Sequence, residues 1–150
     1  NWLLDALISS KASFKVIVNG GQVVSPAKVF ENMANYEGER NQLLKELKNR
    51  NIPGVLFLTG DRHISDLNKL ERPGTYPLYD LTVSPMTAGK ADAVKLDYNE
   101  TLVPGTLLQE RAFSKIEVSG PLKDRTMTIT LFNVKGEVLW TKAIKSTELK

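Results

Sequence analysis

Residues 54–67 read GVLFLTGDRHISDL: an apolar run stops at Thr59-Gly60, and Asp61, Arg62 and the chain's only histidine, His63, follow at once. A short unbroken apolar run bounded by glycines suits a strand covered on both faces, as in a parallel sheet. Open α/β sheets bind ligands beyond the carboxyl ends of their strands. The polar residues after Gly60 therefore fall where such a fold places its chemistry, and the rest of the chain can be read outward from them.

Upstream, FKVIV at 14–18 is a second run of this kind, interrupted only by Lys15, and it too is expected to be covered on both faces. Asn19-Gly20-Gly21-Gln22 ends it in a flexible corner, and 23–35 reads as irregular, with Ser25-Pro26 a turn or helix start. A helix is expected over about 36–50, with Tyr36, Leu43, Leu44 and Leu47 as its buried stripe and Glu46–Arg50 as an i,i+4 pair. Asn51-Ile52-Pro53-Gly54 stops it, because proline cannot continue a helix and glycine accepts unusual dihedrals. Strand, helix, strand makes a βαβ unit with a right-handed crossover. At the start, Leu3, Leu4, Leu7 and Ile8 fall at helical spacing beside Trp2. A helix under way so early reads as a cut through a longer protein, and any signal peptide of that protein would lie outside this sequence.

Downstream, YPLYDLTVSP (76–85) is a short strand, with Tyr79-Asp80 read as strand-end and turn residues. Residues 85–111 form a long connection containing Pro104-Gly105. From Phe113 the period becomes two: Ile116 and Val118 alternate with Glu117 and Ser119, and Met127, Ile129 and Leu131 with threonines. Lys135-Gly136 makes a hairpin turn, after which Val138, Trp140 and Ile144 continue one face. The fold class is α/β (α+β), one domain at 1–150 with a βαβ half at 1–75, flanking helices, and an antiparallel β meander at 76–150.

Composition narrows the function classes. At 41% hydrophobic and 25% charged residues the chain reads as a folded globular domain. The net charge of 20 − 17 = +3 is spread along the sequence and not gathered into a stripe, which argues against a nucleic-acid partner. The absence of cysteine excludes disulfides and thiolate metal sites. No apolar run approaches the roughly 20 residues of a membrane span.

In Gly60-Asp61-Arg62-His63, a carboxylate and an imidazole sit two positions apart, both metal-ligand types. In an extended stretch they would face one side together, while Arg62 points elsewhere or swings in to clamp an anion with its planar fork. The alternative is a strand-end ion pair, Asp61 with Arg62 or Lys69, beside a surface histidine; spacing leaves both readings open. Ser65, His63 and Asp66 suggest a hydrolase triad, but triad members normally come from separate elements and no G-x-S-x-G elbow is present; Ser84 follows no nucleophile pattern either. Gly20-Gly21 matches neither a P-loop nor a dinucleotide fingerprint and reads as a turn.

Four blocks in order, WLLDALISSKASFKVIVNGGQ, NYEGERNQLLKEL, GVLFLTGDRHISDL and YPLYDLTVSPMTAG, closely resemble the carboxyl-terminal part of PhoD-like phosphatases, the alkaline phosphatase D branch of the metallophosphoesterase superfamily. The resemblance runs from residue 2 to about 90, and the later strands suit that family's closing sheet, making this the carboxyl-terminal half of its β-sandwich. It implies a two-metal phosphoesterase in which a metal-activated hydroxide attacks a phosphate ester in line. Most superfamily members end their ligand set with Gly-His-x-His; here Asp61 stands at the first imidazole position and His63 at the second. By that match His63 ligates one metal and Asp61 the other, the pair being iron and calcium in this branch; a carboxylate favours the harder calcium. Arg62 is the candidate phosphate contact, and Gln22 a further candidate at the neighbouring strand end, where relatives often place a histidine.

The D-x-H, G-D-x-x-D and G-N-H blocks that supply the family's other ligands are missing, so the partner expected is the amino-terminal half of the same protein. This chain by itself is expected to hold no metal and to be inactive. The resemblance also implies a phosphate-ester substrate and an extracytoplasmic location. The alternative is a non-catalytic module of the same fold whose site has been lost.

Overall fold

The computed structural model describes residues 2–89 and 99–150. The βαβ unit is present: strand β1 (Lys15–Val18), helix α2 (Glu37–Asn49) and strand β2 (Val55–Thr59), following helix α1 (Trp2–Ser9). β1 and β2 pair in parallel, in register from Lys15–Val55 to Val18–Leu58. Val55, Leu56 and Phe57 are buried, so consecutive side chains on β2 are covered on both faces. β1 departs from that expectation, because Val16 and Val18 are 42% and 75% exposed. Val16 and Val18 point to one face of β1, the edge strand of a four-stranded sheet of order β1-β2-β4-β3, and there that face is left open among the described residues.

β4 (Leu78–Thr82) pairs in parallel with β2, and β3 (Asp66–Leu70) pairs antiparallel with β4. The expected division near residue 75 is therefore displaced, since β4 belongs to the first sheet. Tyr79 and Asp80 are central strand residues, 3% and 0% exposed, and not turn residues. β3 itself was not anticipated. Its sequence, DLNKL, carries buried Asp66 and Asn68, whose polarity reads as loop until their hydrogen bonds are known. Residues 90–98 of the expected long connection lie outside the described residues. Beyond them, 101–108 runs along β3's outer edge, with the Lys69 N–H donating to the Thr101 carbonyl at 2.7 Å and the Leu108 N–H to the Ser65 carbonyl at 2.7 Å.

α2 buries Leu47 and half-buries Leu43 and Leu44. Tyr36 falls outside this stripe: it is the N-cap residue, 60% exposed, and projects before the apolar face begins. The Arg50 Nε to Glu46 Oε2 distance is 2.6 Å, the expected i,i+4 pair. A single turn of 3-10 helix, Met33–Asn35, is all the regular structure between β1 and α2; no helix starts at Pro26. α1 buries Leu4 and Leu7 and leaves Trp2 and Ile8 exposed.

The second sheet, β5 (Ala112–Ser119), β6 (Thr126–Asn133) and β7 (Val138–Lys145), is the expected antiparallel meander. Met127, Ile129 and Leu131 on β6 point inward and are buried, and Gly136 takes the positive φ (79°) of the hairpin turn. Val138 does not continue the inner face. A register shift pairs Val138 with Phe132 but Trp140 with Leu131, so one strand advances two residues while the other advances one. Such a bulge reverses side-chain facing, and Val138 ends up 59% exposed. Leu4, Val55, Phe57, Leu81, Met127, Ile129, Ile144 and Leu149 share a single apolar cluster, so the two sheets close over one core.

Candidate functional site

β1, β2 and β4 all point their carboxyl ends the same way, and the candidate residues gather there. The Gly60 N–H donates to the Gly20 carbonyl at 3.0 Å, tying the exits of β1 and β2 together. Immediately beyond, Asp61 (φ 60°) and His63 (φ 54°) adopt left-handed backbone, so the stretch is a tight turn and not extended. Residues i and i+2 share a face only in extended backbone, so Asp61 and His63 do not meet in that way; both instead line one cleft. It has a volume of about 410 Å³ and is lined by Phe30, Glu31, Asp61, Arg62 and His63. The His63 N–H is anchored at 3.0 Å on Ser84 Oγ, at the end of β4. Lys69, one expected partner of Asp61, instead pairs with Glu71.

Backbone strain concentrates at this cleft. Four non-glycine residues among those described have positive φ, and three of them, Phe30 (47°), Asp61 and His63, line it. Each such conformation costs on the order of 1 kcal/mol or more and persists where surrounding structure enforces it, commonly at functional sites. Phe30 is 71% exposed, with the Arg62 guanidinium carbon 5.4 Å from its ring centroid. Gly21 permits this arrangement, since a Cβ there would lie 2.6 Å from the Glu31 carbonyl oxygen.

Beneath the cleft lies a buried polar network. Gln22 is 1% exposed, so it is not a residue of the cleft surface. Its Nε2 donates to Asp66 Oδ1 (3.0 Å), Asp66 Oδ2 (3.1 Å) and Thr82 Oγ1 (2.8 Å). Its Oε1 accepts from Arg62 Nη1 (2.7 Å) and Asn32 Nδ2 (3.1 Å). Asp80 accepts from the Val23 and Val24 N–H groups at 2.7 and 2.9 Å and from Thr59 Oγ1 at 2.7 Å. Arg40 closes the same loop from the other side, donating to the Val23 and Val24 carbonyls. Burial pushes the Asp66 and Asp80 carboxyls up from the ordinary carboxylate range, and Asp80 reinforces the effect at Asp66, while the hydrogen bonds they accept act in the opposite direction.

These contacts dispose of the local triad. Ser65 is fully buried and its Oγ donates to the Ser84 carbonyl, while Asp66 is bonded to Gln22. Sequence reasoning missed Phe30, Glu31 and Asn32, and weighed Asp66 and Asp80 only in other roles, as a triad member and a strand-end residue. For Asp80 a signal existed: a carboxylate inside the apolar stretch LYDLT is almost never buried unless paired, and so marks a network. Phe30 carries no comparable signal, because it reaches the cleft through the fold of the 20–32 loop.

Asp61, Arg62 and His63 thus line one cleft, with Phe30 and Glu31, at the ends of the parallel strands of an α+β fold. The model of the PhoD-like phosphatase family matches residues 1–119, and the chain belongs to that family. Among solved structures, one titled "Structure of PhoD" superposes with a TM-score of 0.65 at 16% identity, a likeness of fold alone. That match covers 99% of this chain and 33% of the other, so the chain spans about a third of its length. Two Vps29 structures are more distant: a single mutant from Entamoeba histolytica (TM-score 0.38, 19% identity) and the Chaetomium thermophilum protein (0.39, 13%). Each of those covers 91% of this chain and 57% of its own. No curated protein sequence matches the chain significantly. Among the described residues no helix is long and apolar enough to cross a membrane.

Proposed function

We propose that this chain is the carboxyl-terminal part of a metal-dependent phosphoesterase, in which Asp61 and His63 serve as metal ligands and Arg62 contacts the phosphate. The observation that carries the reading is the cleft of Phe30, Glu31, Asp61, Arg62 and His63 at the strand ends, within the segment matched to a phosphatase family. A guanidinium fixed at such a cleft offers its planar donors to phosphate oxygens.

The residues present do not by themselves fit two ions. Among those described, no three His, Asp or Glu side chains come close enough to hold a metal. Zinc-like sites take about four ligands and calcium about six to eight. The metal-borne chemistry implied by the family, with iron and calcium as its pair, therefore belongs to a longer protein whose amino-terminal half supplies the missing ligands. This chain contributes the Asp61–His63 turn, the phosphate-facing Arg62 and the sheet that holds them. The reading includes an extracytoplasmic location, which cell fractionation tests.

The experiment compares metal content and aryl-phosphodiester hydrolysis of this chain with those of the longer protein. The 150-residue chain is expected to show neither, and the longer protein both. Asp61→Ala and His63→Ala should each lower the longer protein's metal content. Stoichiometric metal with turnover in the short chain refutes the division of labour. A longer protein that binds no metal points instead to a module with a lost site.

A further inference from the structure

We propose that Gln22 is the positioning residue for Arg62, its amide coupling the buried Asp66–Thr82 pair to the guanidinium and fixing that guanidinium at the cleft wall. The proposal deepens the reading of the cleft as a phosphate-ester site and rests on it for its functional meaning. The contacts behind it stand independently of that reading.

Arginine has only donors, so the group facing Nη1 at 2.7 Å must be an oxygen. Asn32 Nδ2, at 3.1 Å from the same Gln22 oxygen, is also a donor and imposes the same choice. At the opposite end, Asp66 and Thr82 offer oxygens within 2.8–3.1 Å of Gln22 Nε2. A flipped amide would set its NH₂ against two donors at one end. Gln22 therefore has a single orientation, enforced from both sides. Asp66 and Thr82 are paired neighbours across β3 and β4, so the amide is pinned to rigid strands and not to a loop. Arg62 lies in a strained turn but takes its bearing from the sheet through this amide. Its other side carries the Phe30 ring, at 5.4 Å. A guanidinium already fixed by an amide oxygen and a ring has little side-chain freedom left to lose when it meets an anion.

The test replaces Gln22 two ways. Gln22→Leu removes both ends of the coupler. Gln22→Glu keeps an oxygen facing Arg62, and its protonated form can donate to Asp66 as the amide does. NMR of the arginine Nη groups in this chain is the first readout, because separate Nη signals require slowed rotation about the Cζ–N bonds. Wild type and Gln22→Glu should show resolved Arg62 Nη signals, and Gln22→Leu a single averaged one, with thermal melts confirming that each variant folds. If Gln22→Leu does not fold, Gln22→Met poses the same question. Resolved Arg62 signals in the apolar variant overturn the proposal. So does their loss in Gln22→Glu as well, which would mark a general loosening of the network.

The second readout is titration with inorganic phosphate. It should shift Arg62 in wild type and Gln22→Glu, with about tenfold weaker binding in Gln22→Leu. If phosphate leaves Arg62 unmoved in wild type while the Leu/Glu contrast persists, the phosphate reading of the cleft fails and the positioning role stands.

Discussion

A Cβ built on Gly21 would lie 2.6 Å from the Glu31 carbonyl oxygen, whereas one on Gly20 would meet nothing within 4 Å. The two adjacent glycines thus do different things. Gly21→Ala should cost about 1–3 kcal/mol by urea denaturation, because the obstacle is backbone and cannot rotate away. Gly20→Ala should be close to neutral by the same measurement. At Asp66 the expected effect is one of pH. Burial raises its native pKa, so between the unfolded chain's carboxyl pKa, near 4, and the higher native value the folded chain holds a proton that the unfolded chain has released. Stability from this group is thus fullest at the acid side of that window and falls as pH rises through it. Any stability lead of wild type over Asp66→Asn should therefore be largest near pH 4 and shrink toward neutrality, as read from melting temperatures across pH. Asp61, Arg62 and His63 were legible as a group because polar residues directly after an apolar strand are conspicuous in sequence. Phe30 and the true place of Gln22 were not, because both depend on where a loop without regular structure folds back.

The two β elements of the βαβ unit were legible because apolar runs closed by glycine leave few alternatives, and the meander because a period of two persists over long strands. β3 was hidden, since its burial is purchased with hydrogen bonds that hydropathy does not register. The bulge in β7 was hidden as well, because an extra residue reverses facing without altering the pattern of residue types. In α2 the expected apolar stripe holds at Leu43, Leu44 and Leu47 and fails only at Tyr36, the N-cap residue. Leu47, 1% exposed, is where the helix meets the core, while Tyr36 is 60% exposed. Leu47→Ala should lower stability by about 2–5 kcal/mol, and Tyr36→Ala by under about 0.5 kcal/mol, in parallel denaturant titrations.

At the scale of the molecule, the two edges of the first sheet are treated differently. The outer edge of β3 is covered by residues 101–108, with backbone hydrogen bonds such as Val103 N–H to the Leu67 carbonyl at 2.9 Å. Among the described residues no strand pairs with the outer edge of β1, beside which Val16 and Val18 are exposed. An open, apolar edge is a template for pairing with another chain. This chain should therefore self-associate with concentration. Val18→Lys should shift sedimentation profiles toward monomer with little change in melting temperature, because Val18 contributes little to the core. A monomeric wild type at high concentration would show that the edge is protected in some other way. The open edge was not legible in the sequence, because an apolar run looks the same whether one face or two are covered.

The left-handed backbone at Asp61 and His63 has a consequence for anyone seeking a hardier version of this protein. Glycine enters that region freely, so Asp61→Gly or His63→Gly should raise the melting temperature modestly, by relief worth up to about 1 kcal/mol, while removing side chains that line the cleft. Selection for heat resistance alone would drift toward those replacements. Under the proposed reading, robustness and metal binding pull this turn in opposite directions, so a screen for durable variants of the longer protein must demand activity at every round.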